Sequence, residues 1–455
     1  MDFQSLAENI VEKALKSGAD EAEAYLTNGR EFTLTVRNGD VETVKQATPK
    51  GLGLTVFKDK KLGFSYTSDF SEEGLEAFVK RTVQISLVSD PKPWNGLPDF
   101  EKGELKELDL FDPSIAEIPN DKKIEIARQA EKIALSYDRR IAKTDGSSFS
   151  DSETEVIIAN SRGISYASKS SQVDFWLGVI AAEGSDMQSA YWGSSKRHAK
   201  DLDTVENVAK TAAKRALERL GPKPVETQEA PVIFEGGGSA GFDWDAAATF
   251  WFGILGAMNG DSVFKKTTFL AEYLGKRIAS ELITIVDDPT IPRHISSQAF
   301  DGEGNITREN ILIEKGILKM FIYDSLTARK AGVDVNTMAP RYSYKSRPSA
   351  NYLNVIVRNG NMHRDRLIAG IKNGLYVTGL RGSGTNPITG TYSCGASGFW
   401  IRDGEIAFPV DGITVGGNAL EMLKNIEAVA NDLELRGGLN SPSFKIAEVT
   451  VGGKR

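Results

Sequence analysis

The chain has 455 residues, 40% hydrophobic and 26% charged, with a formal net charge of −7. That length exceeds what one core fills, so two domains are expected. The acidic balance argues against a general nucleic-acid binder, which carries a basic face, and no apolar run reaches the roughly 20 residues that a bilayer span needs. The single cysteine, Cys394, excludes an internal disulfide framework and fits a reducing cytoplasm. The N-terminal run MDFQSLAENIVEKALKSG is amphipathic and acidic, unlike a secretory signal. The expected location is therefore cytoplasmic. His198, His294 and His363 lie too far apart for any two to share a helix face as metal ligands.

Leu6, Ile10 and Ala14 predict a helix over residues 3–17, stopped by Gly18. The alternating runs EAEAYLT, EFTLTVRNG, DVETVKQA, GLGLTVFKD and KLGFSYTS predict strands, with a hairpin at Asn38-Gly39. Ser71 can cap a second helix through Ile85, burying Leu75, Phe78, Val79 and Thr82. Residues 90–119 hold five prolines and little periodicity, which predicts a surface connection. The pattern then repeats. A helix near 121–137 leads into strands from RRIAKTDGSS to QSAYWGSSKR, and a helix follows over about 203–220. This points to a possible internal duplication, in pattern and not in residues.

The proline-rich run 221–230, GPKPVETQEA, predicts a boundary between an N-terminal α+β domain (1–220) and a C-terminal domain (231–455). The latter centres on Ala246 to Met258, AAATFWFGILGAM, which has no charge and predicts a helix buried at every phase. The pairs Asn359-Gly360, Asn373-Gly374 and Asp403-Gly404 predict hairpin turns. NILIEKGILKMFIYDS predicts another hairpin about Gly316, and 419–432 a last helix. The fold class is α+β. Helices pack on antiparallel sheet in the N-terminal domain, and the C-terminal domain is mostly antiparallel β around a buried helix.

Gly236 to Gly241 matches G-x-G-x-x-G between a strand and a helix. A dinucleotide fingerprint also needs an acid about 20 residues on, in a second strand. Asp261 has the distance but sits in a turn signal, so the run reads as a flexible loop. Gly379 to Gly390, GLRGSGTNPITG, lacks the Gly-Lys-Ser/Thr of a P-loop, but its backbone N–H groups could line a peptide or anion site. Asp287-Asp288 and Asp301/Glu303 offer carboxylates in ordinary turn chemistry. Cys394 has no nearby histidine to make it a nucleophile.

Four stretches, ATFWFGILGAMNGDSVFKKTTFL (248–270), ITIVDDP (283–289), FDGEGNITRENILIEKGIL (300–318) and LRGSGTNPITGTYSCGASGFWIRDGEIAFPV (380–410), resemble the TldD/PmbA family. GASGFWIRDGEI resembles its PmbA/TldE branch in particular. In that family, TldD-type subunits hold zinc with an H-E-x-x-x-H helix and a cysteine nearer the C-terminus. Anchored on Asn259-Gly260-Asp261, the motif falls on Trp251 to Gly256. The ligand positions are then Trp251 and Gly256, and the general-base position is Phe252. None has the donor atom the task needs. The segment GGLNSPSFKIAEVTVGG also lacks the cysteine.

The resemblance thus implies a non-catalytic, groove-forming subunit of a cytoplasmic metallopeptidase complex acting on unfolded peptides, in peptide maturation or antitoxin degradation. No cofactor is expected in this chain, and zinc is expected in a TldD-like partner forming a heterodimer. A homodimer of the chain alone stays open, and no direct nucleic-acid contact is expected. The groove candidates are Phe300, Asp301, Gly302 and Glu303, and Gly382, Gly384, Thr385, Asn386 and Thr391. The alternatives are a regulatory protein linked to DNA gyrase, without peptidase activity, and an enzyme with an unrecognised site.

Overall fold

A computed structural model of the chain describes residues 2–99, 103–237, 246–335 and 338–453. Helix α1 (Phe3–Lys16) starts where the Asp2 carboxylate accepts from the N–H groups of Gln4 and Ser5, and it buries Ala7, Ile10, Val11 and Ala14. Strands β1 (Glu21–Arg37), β2 (Asp40–Ala47), β3 (Lys50–Lys58) and β4 (Lys61–Thr67) follow, then helix α2 (Glu72–Val88) capped by Ser71. Next come α3 (Asn120–Tyr137), β5 (Ile141–Asn160), β6 (Ser165–Glu183), β7 (Asp186–Lys196) and α4 (Val205–Glu218).

These seven strands make one antiparallel sheet, ordered β4-β3-β1-β5-β6-β7, with β2 paired to the far half of β1. The helix–strands–helix pattern seen twice in sequence becomes two helix pairs on one sheet. One pair packs Ile10 and Phe78 on Leu26, Leu54 and Ile157, and the other packs Ala127 and Ala212 on Leu34, Phe149 and Phe175. The Asn38-Gly39 hairpin forms as expected, with left-handed φ of 54° and 79°. Both of its N–H groups donate to the buried Glu131 carboxylate of α3.

The connection over 90–119 departs from the surface path expected of it. Leu97, Leu108, Leu110 and Ile115 are buried. Leu108 and Leu110 join Tyr25, Ile158, Ala299 and Phe300 in a small core between the N-terminal sheet and the C-terminal half. Its prolines removed the periodicity that would have shown this burial.

The C-terminal half opens with β8 (Gln228–Phe234), α5 (Ala246–Gly256) and α6 (Gly260–Phe264). Then come β9 (Ile285–Asp287), β10 (Asn310–Glu314), β11 (Ile317–Leu318), α7 (Ser325–Ala331), β12 (Val355–Val357) and α8 (Arg364–Ala369). The last elements are β13 (Asn373–Thr385), β14 (Thr391–Arg402), β15 (Glu405–Asn418), α9 (Ala419–Lys424), β16 (Ile426–Val429), β17 (Leu439–Asn440) and β18 (Phe444–Gly452). One sheet runs β15-β14-β13-β8-β18-β16, and a further pairing of Thr414–Gly416 with Thr450–Gly452 closes β15 onto β18 as a barrel. A smaller sheet runs β11-β10-β9-β12-β17. The pairings are antiparallel except β8 with β13 and β12 with β17. The fold is therefore α+β, as expected. Among the described residues, no helix is long and apolar enough to cross a membrane.

Three local expectations change. The helix expected over 419–432 stops at Lys424, and Ile426–Val429 instead pairs with β18. Asn425 ends the helix, and its carbonyl accepts from Ala447 N–H, which starts the strand. Asp403-Gly404 turns β14 into β15, but Asn373-Gly374 starts a strand and Gly360 N–H bonds across to Ala430. The hairpin about Gly316 forms.

Candidate functional site

Helix α5 was expected to be buried at every phase, and it is not. Ala246, Phe250, Trp251, Ile254 and Leu255 are buried, but Phe252 is 44% exposed and Gly256 is exposed. Phe252 and Gly256 stand at i and i+4 on one face, with half-buried Thr249 a turn before them. Apolar residues at all phases could not distinguish this face, because its open positions carry Phe and Gly where charge would usually mark them.

The inner face is an aromatic cluster. Phe250 lies 5.1 Å from Phe234, 5.3 Å from Phe444 and 5.4 Å from Tyr392, centroid to centroid. Trp251 meets Phe250 edge-on at 5.3 Å, and its Nε1 donates to Ser441 Oγ at 3.1 Å. The indole donor is thus satisfied inside the core, as a buried Trp requires. The next turn, Asn259-Gly260-Asp261, caps α6. Asn259 Oδ1 accepts from the N–H groups of Asp261 and Ser262, and Asp261 pairs with Lys330 and Lys265. Asp261 therefore stands in no second strand of a dinucleotide unit. Gly238 to Gly241 of that motif lie outside the described residues.

Beside α5 runs the hairpin of β13 and β14. A Cβ on Gly253 would meet Thr385 Cβ at 2.8 Å and Thr385 N at 2.9 Å, so the helix packs this closely only with glycine there. A Cβ on Gly384 would come 4.0 Å from the Thr249 carbonyl. Of the candidate residues, Gly384 and Thr385 therefore lie against the middle of α5, and Gly382, Asn386 and Thr391 belong to the same hairpin. Gly382, Asn386 and Thr391 are exposed there, while Gly384 and Thr385 are buried. Gly382 and Gly384 hold left-handed φ of 115° and 65° at a register shift in the hairpin. Asn386 Oδ1 accepts from Ile388 and Thr389 N–H, which sets the turn.

Sequence reading missed the strand edge next to this turn. β8 pairs with β13 only at Leu375, Tyr376 and Val377. Beyond Val377, among the described residues, β13 pairs with β14 alone. Among the described residues, one edge of residues 378–385 thus has no strand partner, and α5 packs on it at Thr385. The glycines there were visible, but the end of β8 was not.

The other candidate segment lies elsewhere and is sealed. Phe300, Asp301, Gly302 and Glu303 are all buried, so they offer no open wall to a peptide. Phe300 packs with Tyr25, Ile158 and Ile164 of the N-terminal half. Asp301 Oδ1 accepts from Glu303 N–H and Asn305 N–H, each at 2.9 Å. Glu303 Oε2 accepts from Ser325 N–H and Oγ. Nearby, Arg341 pairs with Glu23 at 2.6 Å, both side chains buried. Burial pushes the carboxyls of Asp301 and Glu303 well up, and their mutual repulsion adds to the rise at Glu303. Asp287 is also a structural acid: its carboxylate accepts from Leu353 and Asn354 N–H, and burial pushes it up to about 7. Cys394 is buried, and its thiol donates to the Arg381 carbonyl.

The donor set does not fit zinc. Trp251 and Phe252 offer no lone pair for a metal, and Gly256 no side chain. Among the described residues, no three His, Cys, Asp or Glu side chains gather as a metal site would require. His198 Nε2 contacts the Asp109 carbonyl, His363 caps α8, and buried His294 is held down to about 4 by desolvation and Arg197.

Comparison with known proteins matches three successive family models. They are the PmbA/TldA metallopeptidase domain 1 over residues 22–86, the central domain over 113–220 and the C-terminal domain over 235–453. The chain is 34% identical to the metalloprotease PmbA of Escherichia coli O157:H7, over 99% of this chain and 97% of that protein. It is 31% identical to a PmbA homologue of Haemophilus influenzae, over 97% and 94%. A Bacteroides thetaiotaomicron structure, described as a candidate modulator of DNA gyrase, superposes with a TM-score of 0.90 at 27% identity over the whole of both chains. TldE of Thermococcus kodakarensis superposes with a TM-score of 0.87, over 98% and 99%, and at 24% identity it shows likeness of fold alone. The chain belongs to the PmbA/TldD metallopeptidase family.

Proposed function

We propose that this chain is the non-catalytic, groove-forming half of a two-subunit peptidase, paired with a TldD-type subunit that carries the zinc. The observation that carries this reading is the pairing of two features at α5. The positions aligned with the family's metal motif hold Trp251, Phe252 and Gly256, with Trp251 committed to the core. Yet the same helix keeps Phe252 and Gly256 exposed, near an edge of residues 378–385 that has no strand partner among the described residues. An unpaired edge takes an extended peptide through main-chain hydrogen bonds, which read little sequence. An apolar face near it offers contact to the peptide's side chains. Such a surface suits unfolded chains, whose backbone donors and acceptors are free.

The test is a reconstituted peptidase assay. The chain alone, the TldD-type subunit alone and their mixture are each given an unfolded peptide, with and without a chelator. Cleavage confined to the mixture and abolished by the chelator is expected, with no stoichiometric zinc in this chain by metal analysis. Failure of the two chains to associate, or tight zinc in this chain, overturns the reading.

A further inference from the structure

A second space lies between the N-terminal sheet and the C-terminal half, away from α5. It is a cavity of about 100 Å³ whose walls include Tyr25, Arg197, Ser297, Gln298, Asp301 and Arg341. A single water takes up roughly 30 Å³ in the liquid, so there is space for a group of a few heavy atoms.

The polar atoms of this wall are unbalanced. Ser297 Oγ, Gln298 Nε2 and Arg341 Nε are buried and have no hydrogen-bond partner in the protein. Ser297 is 2% exposed, and so is the Arg341 side chain. All three atoms can donate, and two of them can only donate. Arg341 gives an Nη2 hydrogen to Glu23 but leaves Nε unused. Arg197 gives its hydrogens to the carbonyls of Ser171, His294 and Ile295, which satisfy its geometry without neutralising its charge. Asp174 acts on Arg197 only through space. The one carboxyl on the wall, Asp301, directs its bonds to its own turn at Glu303 and Asn305.

Unmet buried donors beside a guanidinium whose charge is met only through space, by Asp174, favour a ligand that accepts. Ser297 Oγ is the one of the three that can also accept, so a ligand rich in its own N–H or O–H groups meets more donors than acceptors here, and an unmade buried bond costs about 1–3 kcal/mol. We infer that this cavity binds a small oxyanion, a carboxylate or phosphate group, held by Arg341 Nε, Gln298 Nε2 and Ser297 Oγ in the field of Arg197. The inference is independent of any peptidase partner.

The test uses the full chain, with sodium phosphate in one arm and sodium acetate in the other, at ionic strength held constant with sodium chloride. Thermal midpoint and titration calorimetry are read together, because a ligand that binds only the folded state raises the midpoint with saturation. One-site saturation in at least one arm is expected, and the arm that saturates names the source of the oxyanion. Gln298→Glu, which places a carboxylate on the wall, should weaken that binding at least tenfold. Ser297→Ala, which removes one hydroxyl, should weaken it several-fold and serves if Gln298→Glu does not fold. No saturable response in either arm, affinity unchanged in a folded variant, or water alone in the cavity of a crystal soaked in the anion would each overturn the inference.

Discussion

The segments 300–304 and 382–391 both mix glycine with polar residues, and they end in opposite surroundings. Phe300 to Glu303 is closed between two halves of the molecule, where Asp301 and Glu303 give their oxygens to local N–H and O–H groups. The 382–391 segment is half open, with Gly382, Asn386 and Thr391 exposed beside α5. The difference lies in what faces each segment. The first meets the N-terminal sheet, with Tyr25 and the Glu23–Arg341 pair close by. The second meets helix α5, which carries no charge. A carboxylate beside a glycine is therefore no sign of acid–base chemistry until its surroundings are known. Here burial and local donors make those carboxylates part of an internal joint.

The largest test of this contrast is on α5 itself. Trp251→Ala should cost about 3–5 kcal/mol in denaturant unfolding, because it opens a cavity in a fully buried aromatic cluster. A loss under about 1 kcal/mol would show that Trp251 is not the packing residue described. Next, Gly253→Ala should cost about 1–3 kcal/mol, because the new methyl overlaps Thr385 and pushes the hairpin from the helix. An unchanged unfolding midpoint would mean that α5 and the hairpin are not in close contact.

The buried segment is tested by pH. Asp301 and Glu303 have folded-state pKa values raised above their unfolded ones, so the folded chain binds more protons than the unfolded chain. Their contribution is fully present below about pH 4, the ordinary carboxylate range, and is lost as pH rises toward and past neutrality. The contribution of raised carboxyls to stability should therefore fall between pH 5 and pH 8, while His294, held down to about 4, acts in the opposite direction up to its ordinary 6.5. The Asp301→Asn, Glu303→Gln double variant should reduce that fall by on the order of 1 kcal/mol, measured by urea unfolding at each pH. It should not remove it, because Asp287 is raised to about 7 and acts in the same direction. An identical slope in parent and variant would show that the pair is ionised and solvated.

Much of the fold was legible. The N-terminal helices followed from 3.6-residue periodicity and caps, and Asn38-Gly39 placed its hairpin because both residues must turn left-handed. Asn373-Gly374 carries the same signal, yet it starts a strand, since pairing with Ile401 and Arg402 decides its geometry. The end of α9 was hidden because Ile426 and Val429 keep helical spacing while β18 claims them as strand. At the candidate site, the lack of metal donors at Trp251, Phe252 and Gly256 was readable residue by residue. The burial of Asp301 was not, because it depends on Tyr25, Ile158 and Arg341, which are distant in sequence. The edge at 378–385, without a strand partner among the described residues, was hidden for the same reason, since β8 pairs with β13 only at 375–377.

The smallest effect on stability should carry the largest effect on function. Phe252 follows Trp251 in sequence but is 44% exposed, so Phe252→Ser should cost under about 1 kcal/mol, against the several expected for Trp251→Ala. In the mixed-subunit peptidase assay, the same substitution should raise KM several-fold with less change in kcat. Under the proposed function, contact with peptide side chains would contribute to binding, while the bond would be cut at the partner's zinc. If Phe252→Ser unfolds the chain, Phe252 belongs to the core and α5 has no open face. If the variant is stable and KM is unchanged, the peptide runs elsewhere, and the edge at 378–385 becomes the feature to test, by a proline in place of Leu380.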